Sequence, residues 1–360
     1  MKTRSWNFLF SRHTGELPVV LLYCSSAGEF EQASPLARQF EEKGYEPIYI
    51  FFSVNGLQHA SSQQENYKMH MAPYDSFFTW FIFLLRFRPK SLTIIKHEFW
   101  PCCIAAAALF SKVNAVLIPL KNRNGLRQFV QNSLLRLFDT LHFISYKEKD
   151  LSDFYYDTRP HQIDFKVKNG YLKLTPFVEW KSNICKSGEL LLVMGNAYLS
   201  DAEQLLRLGY FDLLQTIKII IVPHNTFESQ RINSYFSDNI PSHFDCNNTI
   251  GLETNKSILI ISVYGQLLWI YSIADVIWIG GGFGKGVHSI WEPAYFNVPL
   301  VCGPHLNDEP DALFFIENGM LYDPSYLKEN FLSLKESFKL PGILYLEHLK
   351  KPSIQITKLV

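Results

Sequence analysis

Short runs of Val, Ile, Leu and aromatic residues alternate with longer amphipathic stretches through the first part of the chain. Val19–Cys24, Pro47–Phe52, Leu92–Ile95, Ala115–Pro119 and Leu141–Ile144 are apolar at most positions, the pattern of strands buried on both faces of a parallel sheet. Between them, Glu29–Glu42, Ser76–Phe87, Trp100–Lys112 and Leu126–Phe138 are predicted helices. The pattern then restarts, with Leu190–Met194, Ile217–Val222, Ile258–Ser262, Val276–Gly280 and Leu300–Gly303 as a second strand series. Two such series in 360 residues predict an α/β protein. The expected architecture is two Rossmann-like doubly wound domains facing each other across a cleft, not one very wide sheet. The irregular stretch from Asp157 to Gly188, with Pro160, Gly170 and Pro176, is the expected linker. Domains are therefore expected over 1–165 and 166–360, with the last helix able to pack back on the first domain. Open α/β sheets bind ligands at the carboxyl ends of their strands, so residues placed directly after strands carry most weight.

Composition narrows the class. The chain is 47% hydrophobic and 19% charged, enough to bury a large core and too apolar for a disordered chain. Thirty-four basic residues balance thirty-four acidic ones, against a dedicated nucleic-acid binder. The six cysteines include no Cys-x-x-Cys pair and read as reduced thiols of a cytosolic protein, not metal ligands or a disulfide framework. The longest apolar segment, Phe77 to Leu85, is about half of a membrane span, and the start lacks a stretch of signal-peptide length. The chain is expected to be soluble.

Three places could carry chemistry. Ser25-Ser26-Ala27-Gly28-Glu29 follows the opening strand. Its small residues permit a tight turn and close ligand approach, and Glu29 could be a general base or could simply complement a helix dipole. Gly280-Gly281-Gly282-Phe283-Gly284-Lys285-Gly286-Val287-His288 is a glycine loop after a strand. It fits neither a Walker loop, since Ile279 stands six positions before Lys285, nor the Gly-x-Gly-x-x-Gly spacing. A glycine-rich turn feeding a helix start suits an anion such as a phosphate. Glu292, four positions after His288 and expected on the same helix face, could hold ribose hydroxyls or pair with His288. Pro293 implies a short or distorted helix.

The third place is His97-Glu98-Phe99-Trp100-Pro101, where Glu98 could face the cleft. Just before it, the apolar run with Phe78 and Phe81 ends in Arg86, Arg88 and Lys90. Such a helix fits either lipid tails with lipid phosphates or burial between sheet and neighbours. Pro223-His224 and Gly303-Pro304-His305 end strands and could line a nucleotide pocket. No Asp-x-Asp, catalytic triad or metal-ligand cluster is visible.

In chain order, Ser-Ser-Ala-Gly-Glu (25–29), Ala72-Pro73-Tyr74-Asp75, Glu98-Phe99-Trp100-Pro101, Val222-Pro223-His224 and the stretch Tyr271 to Pro304 resemble the Kdo (3-deoxy-D-manno-octulosonic acid) transferases. These are inverting GT-B glycosyltransferases of lipopolysaccharide synthesis. The resemblance implies transfer of Kdo from CMP-Kdo to a hydroxyl of a lipid A precursor, with no metal and no further cofactor. It makes Glu29 the general base. Gly281, Gly282, Gly284, Lys285, Gly286, His288, Ser289, Glu292, Pro223 and His224 become donor-binding residues. Ser26, Gly28, Glu98, Phe78, Phe81, Arg86 and Arg88 become acceptor-binding residues. It places the enzyme on the cytoplasmic face of the inner membrane, and since the first motif arrives by residue 25, attachment is expected to be peripheral. The chain departs from the family's usual pattern in three places: it lacks an arginine after Val222-Pro223, carries Ser289 in place of Asn, and reads Gly195-Asn196-Ala197-Tyr198 where Ser-Thr-His is common. A UDP-sugar transferase or epimerase, and a catalytically silent nucleotide- or lipid-binding homologue, are the alternative expectations.

Overall fold

The computed structural model describes residues 15–63, 67–96, 100–119, 136–144, 157–170, 173–247, 255–263, 265–306, 309–350 and 359–360. The chain divides into two compact units, Met1–Gln162 with Lys351–Val360, and Ile163–Lys350.

In the first unit the strands are β1 (Val19–Cys24), β2 (Glu46–Phe51), β3 (Lys68–Met71), β4 (Ser91–Ile95), β5 (Lys112–Pro119) and β6 (Thr140–Ile144), in the order β3-β2-β1-β4-β5-β6. The helices are α1 (Ala27–Glu42), α2 (Val54–Ser62), α3 (Phe77–Phe87) and α4 (Pro101–Ala107). Every strand pair is parallel. β1 and β4 are buried along their whole lengths, as sheet strands covered by helices on both faces must be. α2 and β3 were not expected. β3 is an edge strand with no buried residue, so it lacks the continuous apolar run that marks the central strands. The helix expected over Trp100–Lys112 ends at Ala107, and Lys112 already pairs with Ser91 in the sheet. Most of the helix expected over Leu126–Phe138 lies outside the described residues.

Residues Leu359 and Val360 belong to this unit. Leu359 is fully buried in its core. The Asn114 side-chain amide donates to the Leu359 carbonyl (2.8 Å), and the Lys112 ammonium donates to Val360 (2.6 Å).

The second unit starts inside a helix. The stretch read as an irregular linker is instead α5 (Arg159–Asn169) and α6 (Thr175–Ile184). Pro160 and Pro176 sit in the first turns, where a missing N–H is harmless. The strands are β7 (Leu190–Ala197), β8 (Ile217–Pro223), β9 (Phe244–Asn247), β10 (Ile258–Ile261), β11 (Val276–Ile279) and β12 (Leu300–Cys302), all parallel, in the order β12-β11-β7-β8-β10-β9. Leaving out the edge strand β9, the order repeats that of β1 to β5 in the first unit. The helices that position the site are α7 (Leu199–Arg207), α8 (Thr226–Asn239), α9 (Leu267–Tyr271), α10 (Trp291–Ala294) and α11 (Pro310–Glu317). Each sheet therefore has a switch point, between β1 and β4 in one unit and between β7 and β11 in the other, where loops leave in opposite directions and open a crevice.

Candidate functional site

At the first switch point the chain leaves β1 through Ser25 and enters α1. Ser26 is the N-cap, its hydroxyl accepting from the Glu29 N–H at 3.4 Å. Ser26-x-x-Glu29 has the spacing of a capping box, in which the glutamate would return to the cap's own N–H. Here the carboxylate reaches one residue further back. Glu29 Oε2 accepts from both the Ser25 N–H (2.5 Å) and the Ser25 hydroxyl (2.6 Å), while Oε1 accepts nothing among the described residues. Glu29 is buried at 6% exposure. Two donors on one oxygen fix the carboxylate and leave the other oxygen able to take a proton. Gly28 does not provide the expected tight turn. It has ordinary helical φ, it is exposed, and a Cβ there would meet nothing within 4 Å, so its smallness serves only open approach to Glu29.

Of the remaining residues assigned to the first unit, Glu98 lies outside the described residues. Asp75 of the Ala-Pro-Tyr-Asp motif accepts from the Cys103 N–H (3.0 Å) and so fixes the start of α4. The helix α3 is two-faced rather than apolar all round in its packing. Trp80, Phe83, Leu84 and Phe87 are buried, whereas Phe78 (76% exposed), Ile82 and Leu85 face outward. Phe81 packs on Phe110 with ring centroids 5.0 Å apart and is only partly exposed. Arg88 is exposed at the helix end in a left-handed conformation (φ 43°), and Arg86 is half-buried.

At the second switch point the glycine loop leaves β11. Gly281 (φ 92°) and Gly286 (φ 101°) occupy backbone regions that disfavour other residues, and the Gly286 N–H closes the turn on the Gly281 carbonyl (2.8 Å). Close approach explains two more. A Cβ on Gly280 would lie 2.4 Å from the Asn196 carbonyl oxygen, and one on Gly282 would lie 2.5 Å from the Gly303 nitrogen. Gly284 is exposed and meets neither requirement. The loop does not feed a helix directly, contrary to expectation. Val287 to Ile290 are irregular, and α10 is a four-residue turn starting at Trp291. His288 and Glu292 therefore share no helix face, and an anion placed at this loop would meet loop N–H groups and side chains rather than a helix dipole. Pro293 falls in the first turn of that short helix.

Around the loop the structure brings His224 and His288, both singled out in the sequence, together with Tyr198, which was given no role there. Tyr198 follows β7, His224 follows β8 and His288 follows the glycine loop. The Tyr198 and His224 rings stack at 4.9 Å, His224 and His288 stack at 4.7 Å, and the Tyr198 hydroxyl lies 3.4 Å from His288 Nε2. The Lys285 ammonium sits 5.2 Å from the Tyr198 ring centre. Burial, then the charge of Lys285, lowers the His224 imidazole below its usual range, with Glu228 opposing. Burial, then His224, pushes His288 down to about 4.

Beneath the stack, the fully buried Asp201 accepts from the Tyr198 N–H (2.9 Å) and the Gly281 N–H (2.8 Å). One carboxylate thus fastens the β7 turn to the glycine loop. Burial pushes its acid up to about 6, against those two N–H groups. Its sign follows from the raised folded-state value: this residue's contribution to stability is full below the ordinary aspartate range and lost as pH rises through about 6. Asp201→Asn is expected to flatten the fall in stability between pH 4 and 6, measured by urea unfolding across that range. Asp201 had a sequence signal, a carboxylate four residues after the end of a strand and at the start of an amphipathic run.

Glu228 ties α8 to α7 by accepting from the Leu199 N–H (3.0 Å), and Asn225 caps α8 through the Glu228 N–H (2.9 Å). Asp311 accepts from the Ile290 N–H (2.9 Å) and holds Ser289 at 3.4 Å. Glu292 is half-buried near Tyr271, whose hydroxyl it makes harder to ionise after burial itself. Among the described residues, no group of three His, Cys, Asp or Glu side chains could hold a metal ion, and no helix is long and apolar enough to cross a membrane.

Residues 3–149 match the family model described as 3-deoxy-D-manno-octulosonic-acid transferase (kdotransferase). The 3-deoxy-D-manno-octulosonic acid transferase of Aquifex aeolicus is 22% identical over 301 residues, covering 82% of this chain and 79% of that protein. The transferase of the same name from Rickettsia prowazekii is 22% identical over 244 residues, covering 64% of this chain. Only about half of that relative's length (51%) is spanned. Among solved structures, a UDP-N-acetylglucosamine 2-epimerase superposes with a TM-score of 0.62 at 11% identity, over 94% of this chain and 95% of that one. MurG of Acinetobacter baumannii gives 0.54 at 14% identity, over 94% and 96%. The fold, two Rossmann-like units in one chain, is thus the GT-B fold.

Proposed function

We propose that this chain, which belongs with the Kdo transferases by sequence, transfers Kdo from CMP-Kdo to a hydroxyl of a lipid A precursor. The observation that carries the reading is Glu29, a buried carboxylate at the carboxyl end of the first strand with one oxygen held by Ser25 and the other open. In the proposed step the acceptor hydroxyl attacks the anomeric carbon of Kdo as the bond to the CMP phosphate oxygen breaks. Its proton passes to Glu29, CMP leaves with the electron pair, and the configuration inverts. The glycine loop, Lys285, His224 and His288 hold the phosphate. Glu292 holds the ribose. No metal or further cofactor takes part.

The exposed face of α3 supplies the acceptor's lipid side. Phe78, Ile82 and Leu85 recur at helical spacing and are 76%, 41% and 47% exposed, with Arg88 at the helix end. A helix of this kind can lie on a bilayer surface with its apolar face inserted, and this supports the reading in which the protein attaches peripherally, on the cytoplasmic face of the inner membrane. Replacing Phe78, Ile82 and Leu85 with serine should leave the fold intact, because the buried face is untouched. Vesicle binding should be lost and acceptor KM should rise about tenfold or more, and unchanged sedimentation with anionic vesicles would remove this surface from the reaction.

The function is tested by the mass of the product formed from CMP-Kdo and tetraacylated lipid A precursor. One or more Kdo increments are expected. A folded protein that binds UDP in preference to CMP and forms no such product would overturn the reading.

A further inference from the structure

A phosphate site needs positive charge, yet burial disfavours charge on the two imidazoles nearest the glycine loop. Their rings stack at 4.7 Å, 21° from parallel, so charging both would set two cations face to face, and Lys285 opposes charge on His224. His224 Nδ1 is shut off from solvent and has no hydrogen-bond partner among the described residues. Tyr198 lies within 3° of parallel to His288 and 23° of parallel to His224. Its backbone is set by Asp201, which also holds Gly281, and by the end of β7, so the tyrosine ring is carried on an anchored stem.

Resting on the CMP-Kdo reading, we propose that Tyr198, His224 and His288 form a protonatable anion clamp. The arriving phosphate draws one proton from solvent onto the histidine pair, and Tyr198 holds both rings in place to receive it. The groups acting on the pair allow this. Lys285 and the phosphate bear opposite charges, so bound phosphate cancels the repulsion that Lys285 exerts on His224. Glu228 favours the charged form of His224 and is itself paired with Arg231 (3.0 Å). Asp201 faces the Tyr198 backbone and not the imidazoles. Donor affinity is then linked to pH through residues that make no bond to the sugar.

The test is carbon NMR of the full chain with histidines labelled at Cε1, titrated with and without saturating CMP, His224→Gln and His288→Gln serving to assign the two signals. Both midpoints should lie below the ordinary histidine range in the free protein, and at least one should rise by a unit or more with CMP. Each unit of rise corresponds to a tenfold gain in affinity for the protonated form. Tyr198→Ala should abolish the rise and weaken CMP binding at pH 6 more than at pH 8, while Tyr198→Phe, which preserves the stack, should retain it. CMP binding with unmoved midpoints overturns the clamp and leaves the CMP-Kdo reading standing. Absence of CMP binding overturns both.

Discussion

Glu29→Ala is expected to lower transfer by about 10²–10⁴-fold, the usual contribution of a positioned general base, while CMP affinity stays near that of the unaltered protein. The two readouts separate because Glu29 and the groups assigned to CMP belong to different compact units. Glu29→Gln is the sharper variant. A glutamine carbonyl can still accept both Ser25 donors, so the start of α1 keeps its geometry and only basicity is lost. Equal losses in the two variants identify a base. Activity restored by glutamine would instead make Glu29 a structural cap of the helix, the alternative that the sequence left open. Lost turnover should appear in kcat more than in acceptor KM, since proton removal matters in the transition state.

Gly281→Val should have the largest effect on the second unit. The native φ of 92° is strained for any side chain, and a Cβ would stand 2.1 Å from the Gly286 carbonyl oxygen. Either the loop opens, losing the Gly286-to-Gly281 hydrogen bond and the Asp201 strap, or the fold bears the clash. A cost of a few kcal/mol follows from strain of about 1–3 kcal/mol at the backbone together with one buried hydrogen bond. Calorimetry should show the unit containing this loop unfolding several degrees earlier. The stabilisation that CMP gives the unaltered protein should vanish. Gly284→Ala is the control. Its Cβ would meet only the Ser200 hydroxyl at 3.0 Å, and its φ is not positive, so a shift of that flexible side chain accommodates it. A folded Gly281→Val protein with normal CMP affinity would show that the loop does not touch the nucleotide.

The strand series was legible because central parallel strands are apolar throughout: β1, β4, β8, β10 and β11 fall on or within a residue of the expected runs, and β7 runs three residues beyond its own. The edge strands β3 and β9 were not legible, because polar residues such as the exposed Lys68 and Asp245 and the half-buried His70 break the pattern. The glycine loop was visible as a composition anomaly, but its separation from the next helix was not: Val287 to Ile290 look helix-compatible locally and are held in an irregular path by tertiary bonds, from Val287 to His305 and from Ile290 to Asp311. Tyr198 went unweighted although it stands directly after a strand, because an aromatic residue there reads as packing. Its partners His224 and His288 come from two other strand ends, and sequence cannot show that three loops converge.

The return of Leu359 to the first unit has a practical meaning for dissecting the molecule. Residues 163–350 form an uninterrupted piece with its own sheet, whereas 1–162 is not a complete body. Cut at that point, it would keep the fully buried Asn114 amide and lose the carbonyl that amide bonds, along with a core leucine. The first unit is therefore stitched from the two ends of the polypeptide with the second unit threaded between them. A fragment carrying the base alone should be prepared with residues 351–360 rejoined to it, as a circularly permuted or spliced chain, and not as a simple truncation.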